Sequence, residues 1–241
     1  MFTKRNDLIE KKIDLTNLRT KFDYEIKYLR EYLTFTSDLT EKKSEQLADV
    51  LYEFTESDPD NEAIIQSLFE REKYSLLSYY HHSAIVLIYS VLETILADIC
   101  DTICDEMHSK LSHNSLSGGN LISKSKEYLQ ITTSLEFTLI EGEWARIGQF
   151  QVLRNIIVHQ HSSFVGSIKE IVNQKAKIKN NFPSIKINDE HNRFYIIQDT
   201  LVNEFLTLVD QLISKVVNHV ESMLFLIEKP KIAIPDDDIP F

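Results

Sequence analysis

Ser83-Ala84-Ile85-Val86-Leu87-Ile88-Tyr89-Ser90-Val91-Leu92-Glu93 is the stretch whose reading decides the fold. From residue 83 to residue 100 the chain is apolar on nearly every side of a helical wheel, the pattern of a central helix buried by its neighbours. The run from Ser83 to Leu92 is shorter than the roughly 20 apolar residues that cross a bilayer. Around it, residues 62–108 read as one helical segment that grows more apolar along its length. Only 5 Gly and 5 Pro in 241 residues argue against a loop-rich β fold. The expectation is an all-α bundle with one sizeable core.

Toward the N-terminus, residues 3–36 read as a long helix. Leu8, Leu15, Phe22 and Leu29 recur every seven residues, with Leu18, Ile26, Tyr32 and Leu33 on the same stripe. So wide a stripe suits packing within the chain better than a free coiled coil. A second amphipathic helix, 40–54, presents Leu47, Val50, Leu51 and Phe54. Ser57-Asp58-Pro59-Asp60-Asn61 is a break followed by helix-start chemistry. The expected organisation is an N-terminal helical hairpin over 1–61, packed on a bundle over 62–228, with a disordered tail over 229–241.

Toward the C-terminus, 112–120 reads as a loop, 122–132 and 144–158 as helices, and 166–179 as a basic helical connector. Residues 184–187 and 193–197 are β-prone runs around the polar turn Asn188-Asp189-Glu190-His191-Asn192, which predicts a hairpin. Leu201, Phe205, Leu208, Leu212, Val216, Val220 and Leu224 mark a last helix over 200–227. Pro230 then stops the helix, and Pro235 and Pro240 keep the tail extended.

The net charge is −11. A protein that grips nucleic acid through many phosphates is usually basic, so any RNA contact here is local, transient or made by a small patch. The two cysteines, Cys100 and Cys104, are too few for a structural zinc site and read as small buried residues in a reducing compartment. No signal peptide is visible, and a cytoplasmic protein without membrane association is expected. No phosphate-binding Gly-rich loop, nucleophile elbow or zinc-protease motif occurs, and no cofactor or metal is expected. His81 and His82 read as surface or capping residues.

The residues that carry chemistry are Arg154-Asn155-Ile156-Ile157-Val158-His159. Arg and His five apart lie about 140° apart on a helix and meet only where that end faces a cleft or a second subunit. The hexapeptide resembles the R-x4–6-H motif of HEPN-domain ribonucleases, whose first intervening residue is often Asn. The Trp-containing turn Gly142-Glu143-Trp144-Ala145-Arg146 precedes it, and the stretch from Ser83 to Glu93 resembles the long early helix of that family, ending at its usual acidic position. The resemblance covers most of 1–228.

The resemblance implies an HEPN-type bundle that acts on RNA without a metal. The ribose 2′-hydroxyl attacks the adjacent phosphorus and leaves a 2′,3′-cyclic phosphate. It also implies a symmetric homodimer with the two motifs sharing one cleft. An imidazole exchanges protons near neutral pH, which suits His159 to acid–base work. The guanidinium fork of Arg154 suits the phosphate oxygens as charge builds. Asn155 orients the imidazole or contacts the phosphate, or else caps the local backbone. Glu93 pairs with Arg154 or positions His159, or else is a buried structural carboxylate. Tyr89 and Ser90 are weaker additions, and His161 reads as a solvated loop residue. Lys169, Lys175, Lys177 and Lys179 are the candidate RNA-backbone patch, or simply a solvated face.

The last six residues, Asp236-Asp237-Asp238-Ile239-Pro240-Phe241, are identical to the tip of bacterial single-stranded DNA-binding protein (SSB). That resemblance implies docking of Phe241 and its carboxylate into an apolar pocket rimmed by basic groups on a replication or repair protein. The other reading is a solubilising acidic end. Together these features predict a toxin or anti-phage (abortive-infection) endoribonuclease docked by its tip onto SSB-interacting proteins, with an antitoxin or second defence protein as a possible partner. The alternative is a catalytically silent HEPN scaffold that occupies an SSB-tip pocket.

Overall fold

A computed structural model describes residues 8–228. Six α-helices carry most of them: α1 (Thr16–Ser57), α2 (Glu62–Glu106), α3 (Leu121–Thr133), α4 (Glu141–Gln160), α5 (Ile168–Asn181) and α6 (Thr200–Ser222). Two antiparallel ribbons complete the fold. β1 (Leu8–Lys11) pairs with β4 (Phe225–Glu228), and β2 (Lys186–Asn188) pairs with β3 (Arg193–Tyr195). The expected mainly helical fold with a small hairpin is present. The SSB-like tip lies outside the described residues.

The core forms around the C-terminal part of α2. Ile85, Ile88, Leu92, Leu96 and Ile99 are buried there against Phe205, Val209, Leu212 and Val216 of α6 and Phe150 and Leu153 of α4. The spacing of these residues puts one stripe of each helix inward, and each such side chain contributes about 1.5–3 kcal/mol on burial. Phe150 and Phe205 stack at 4.1 Å between centroids, and Phe182 meets Phe150 edge-on at 5.2 Å. By length and composition α2 would pass for a membrane span, contrary to the reading of the apolar run alone. Its apolar residues instead form the centre of the bundle.

Three expectations need correction. First, α1 is one uninterrupted helix rather than a helical hairpin of 3–36 and 40–54. The polar stretch near residue 37 does not break it. Thr36 Oγ1 donates to Tyr32 O at 2.7 Å and Thr40 Oγ1 to Thr36 O at 2.7 Å, so these hydroxyls are satisfied along the helix, and no Gly or Pro interrupts it. Second, α1 begins only at Thr16, and Leu8 belongs to β1. Third, α6 stops at Ser222, because 225–228 pairs with β1 across almost the whole length of the chain.

Among the described side chains none from residue 34 to 77 is buried. The end of α1 and the start of α2 therefore form a two-helix arm, its α1 part roughly 36 Å long at 1.5 Å per residue. Leu47, Leu51, Ile65 and Phe69 are half-buried, whereas Val50 and Phe54 face solvent. The arm carries eleven Asp/Glu against four Lys/Arg, so most of the net negative charge resides there.

The central stretch is also not covered on every side. Ser83, Leu87, Ser90 and Thr94 leave an exposed strip along α2. It lies between α1, whose Phe22 and Lys21 line a pocket with Leu87 and Val91, and α4, whose Arg154 lies over Tyr89.

Candidate functional site

The hexapeptide occupies the C-terminal part of α4, which runs antiparallel to α2. Arg154 lies beside Tyr89 and Glu93, and Ser162 lies beside Ser78 and His82. Ile156 and Ile157 are buried and Leu153 is fully so, which fixes the rotation of the helix. Arg154 is then half-buried at its edge, with Asn155 and His159 exposed.

The Arg154 guanidinium carbon is 5.4 Å from the centroid of the Tyr89 ring, a cation–π arrangement. Nη1 donates to Asn155 Oδ1 at 3.3 Å, and the buried Nε has no hydrogen-bond partner. Among the described residues no carboxylate forms an ion pair with it. The expected Arg154–Glu93 pair is therefore an interaction through space. Burial pushes the Glu93 carboxyl up while Arg154 draws it down. Burial, with Glu93 adding to it, pushes the Tyr89 hydroxyl up to about 12, so the ring beneath Arg154 stays neutral. Asn155 contacts Arg154, rather than the imidazole or a backbone cap.

Beyond His159 the helix ends in a turn that few residues adopt. His161 (φ 49°) and Ser162 (φ 62°) both take left-handed backbone without being glycine. Such strain persists only where the surroundings over-determine it, and here they do. Ser162 N–H donates to Ile156 O at 3.2 Å, closing the helix end. Arg193 Nη2 donates to His161 O at 3.2 Å, and Phe194 N–H donates to Ser162 O at 3.0 Å. Ser162 Oγ is 3.0 Å from His82 Nδ1.

His81 and His82 are thus not surface or capping residues. They are 1% and 8% exposed. His82 lies between the hydroxyls of Ser162 and Ser78, 3.0 Å from each, and meets the Phe194 ring edge-on. Burial first, then the charges of His81 and Arg193, push its imidazole down to about 3. His81 Nδ1 is 2.8 Å from Ile196 O and Nε2 is 2.7 Å from Asp199 Oδ1. Both nitrogens face acceptor oxygens. Ser78 and His82, four apart on one helical face, carried the only sequence hint of this network.

The lysine patch divides. Lys175 pairs with Asp189 at 2.7 Å, and this contact, with Lys179 adding to it, holds the Asp189 carboxyl below its ordinary range. Lys175 and Lys179 lie about 40° apart on α5, whereas Lys169 and Lys177 lie on another side. The four do not form one surface. Cys100 is buried and Cys104 half-buried, and both are free thiols. No three His, Cys, Asp or Glu side chains converge as a metal site among the described residues. No protein-family model, curated protein or solved structure matches this chain, and the assignment of the site rests on its own residues.

Proposed function

We propose that this protein is a metal-independent endoribonuclease of the HEPN type, acting in the cytoplasm as a toxin or anti-phage effector. The observation that carries the reading is Arg154. It is a half-buried guanidinium stacked on a neutral ring, with Nε unpartnered and no paired carboxylate among the described residues, on the same helix as an exposed His159. A half-buried guanidinium without a paired carboxylate is costly, and a phosphate oxygen at its open side would offset that charge.

Two copies of the motif around one phosphodiester would complete the chemistry. One imidazole takes the proton of the 2′-hydroxyl as its oxygen bonds to phosphorus. The bond to the 5′-oxygen breaks, and the second His, protonated, supplies that oxygen with its proton. The two Arg154 side chains bind the non-bridging oxygens as negative charge accumulates. The uncovered strip of α2 with Leu87, together with Val158 of α4 (38% exposed), supports a second copy as the partner that brings the sites together. The left-handed turn at 161–162, pinned by His82 and Arg193, supports a site whose geometry is held firmly.

Expression of the wild type is expected to arrest growth and to yield RNA ends bearing 2′,3′-cyclic phosphate. Arg154→Ala and His159→Ala are each expected to abolish both. Equal harmlessness of wild type and variants, in infected cells as well as uninfected ones, removes the ribonuclease. The tip is proposed to dock the enzyme onto a protein with an SSB-tip pocket, so deletion of 236–241 is expected to end co-purification with that protein. Persistence of the tip-dependent pull-down without any RNA product favours the silent scaffold, a reading supported by the acidity of the chain.

A further inference from the structure

Residues 168–197 carry six Lys/Arg against three Asp/Glu in a chain whose net charge is −11. Within that segment the β2–β3 hairpin faces the last turns of the arm half of α2 across a cleft of about 470 Å³, lined in part by Arg71, Tyr74, Lys186 and His191. The Lys186 ammonium lies 3.9 Å from the centroid of the Tyr74 ring, which in turn is 6.3 Å from the ring of Tyr195. Glu70 and Glu190 also line the cleft, whose cationic side chains are Arg71 and Lys186.

The cleft borders the neighbourhood of the motif through Tyr195. Tyr195 also lines a smaller notch with Arg193, Tyr79 and His82. Arg193 reaches the carbonyl of His161, two residues beyond His159. Tyr79 is 68% exposed and stands on the side of α2 that continues through Ser83 toward Tyr89 and Arg154. A large bare aromatic ring beside a guanidinium is shaped to receive a planar group.

We propose that single-stranded RNA reaches Arg154 and His159 along this track, with phosphates on Arg71 and Lys186 and an unpaired base stacked on Tyr79. The inference rests on the reading of the Arg154–His159 site as an RNA site. It names a substrate feature that reading leaves open, because stacking on an exposed ring requires an unpaired base. It also accounts for how an acidic protein holds RNA: Lys186 of the hairpin and Arg71 at the base of the arm capture the strand locally, while the carboxylates farther along the arm repel it.

The test uses the full chain carrying His159→Ala, so that the probe survives. A short fluorescent mixed-sequence RNA is titrated at several salt concentrations, with its duplex as a control. Adding Arg71→Ala and Lys186→Ala together is expected to weaken binding at least about tenfold and to make the log–log salt dependence shallower by about 1.4, the change for two lost phosphate contacts on a single strand. Adding Tyr79→Ala is expected to weaken binding about tenfold with the salt dependence unchanged. The duplex is expected to bind more weakly than the single strand. Unchanged affinity and salt dependence in the variants, or no binding by the parent at low salt, overturns the track even if the wild type makes cyclic-phosphate ends. Track-dependent binding with no such product from the wild type upholds the track and removes the ribonuclease. All three substituted residues are exposed, and circular dichroism of each variant verifies that it is folded.

Discussion

Helix α2 is two different objects joined at Ser78. Before it, residues 62–77 include no buried side chain; after it, buried residues recur through Ile103. The first part lies against α1 in the arm and rests on helix propensity and a half-buried seam. The second is held by tertiary burial. The difference teaches that one continuous helix can span a region stabilised mainly by local terms and a region stabilised by packing, with Tyr89 and its Arg154 neighbour at the packed end.

The comparison can be broken by substitution. Leu92→Ala, at a position with no exposure, is expected to cost about 2–5 kcal/mol in urea unfolding, because the cavity adds to the lost transfer energy. A cost near zero would mean that the packed half is no better held than the arm.

The second prediction concerns the buried imidazole at the junction. An unfolded His82 takes up a proton below about 6.5, while in the fold it does so only near about 3. Within that window the unfolded state binds more protons, so stability falls as pH drops, by about 1.4 kcal/mol per unit at most, and levels off above it. His82→Gln is expected to flatten the slope between pH 6 and pH 4 in urea midpoints, and an unaltered slope would assign the acid sensitivity to carboxylates instead. Hydrogen exchange should sharpen the contrast further. Amides of 40–73 are expected to exchange through local opening well ahead of those of 84–103. The smallest effect is expected for Leu68→Ala on the arm, where the side chain is 48% exposed: less than about 0.5 kcal/mol.

Much of this was legible in the sequence. The spacing from Leu201 to Val220 locates α6, and the polar turn at 188–192 locates the hairpin. The candidate Arg and His do lie on one helix near its end, one half-buried and one exposed. What was not legible is what holds that end in place. His82 looks like any histidine on a helix until Ser162 arrives from the opposite element, and Arg193 looks like a strand cation until it meets His161. The lysine run reads as one patch only while adjacency along the chain stands for adjacency on a surface. A helix turns about 100° per residue and separates such neighbours.

The sequence by itself determined that the chain is mainly helical, where the central and last helices lie and where the hairpin turns. Those properties arise from sterics and hydrogen bonds among residues within a few positions of one another. Only the tertiary structure decided that α1 is unbroken, that Leu8 pairs with Glu228, that two histidines are buried and that Tyr74 and Lys186 line one cleft. Each of these depends on groups far apart in the chain that burial brings together, and no local pattern encodes which distant partner will arrive.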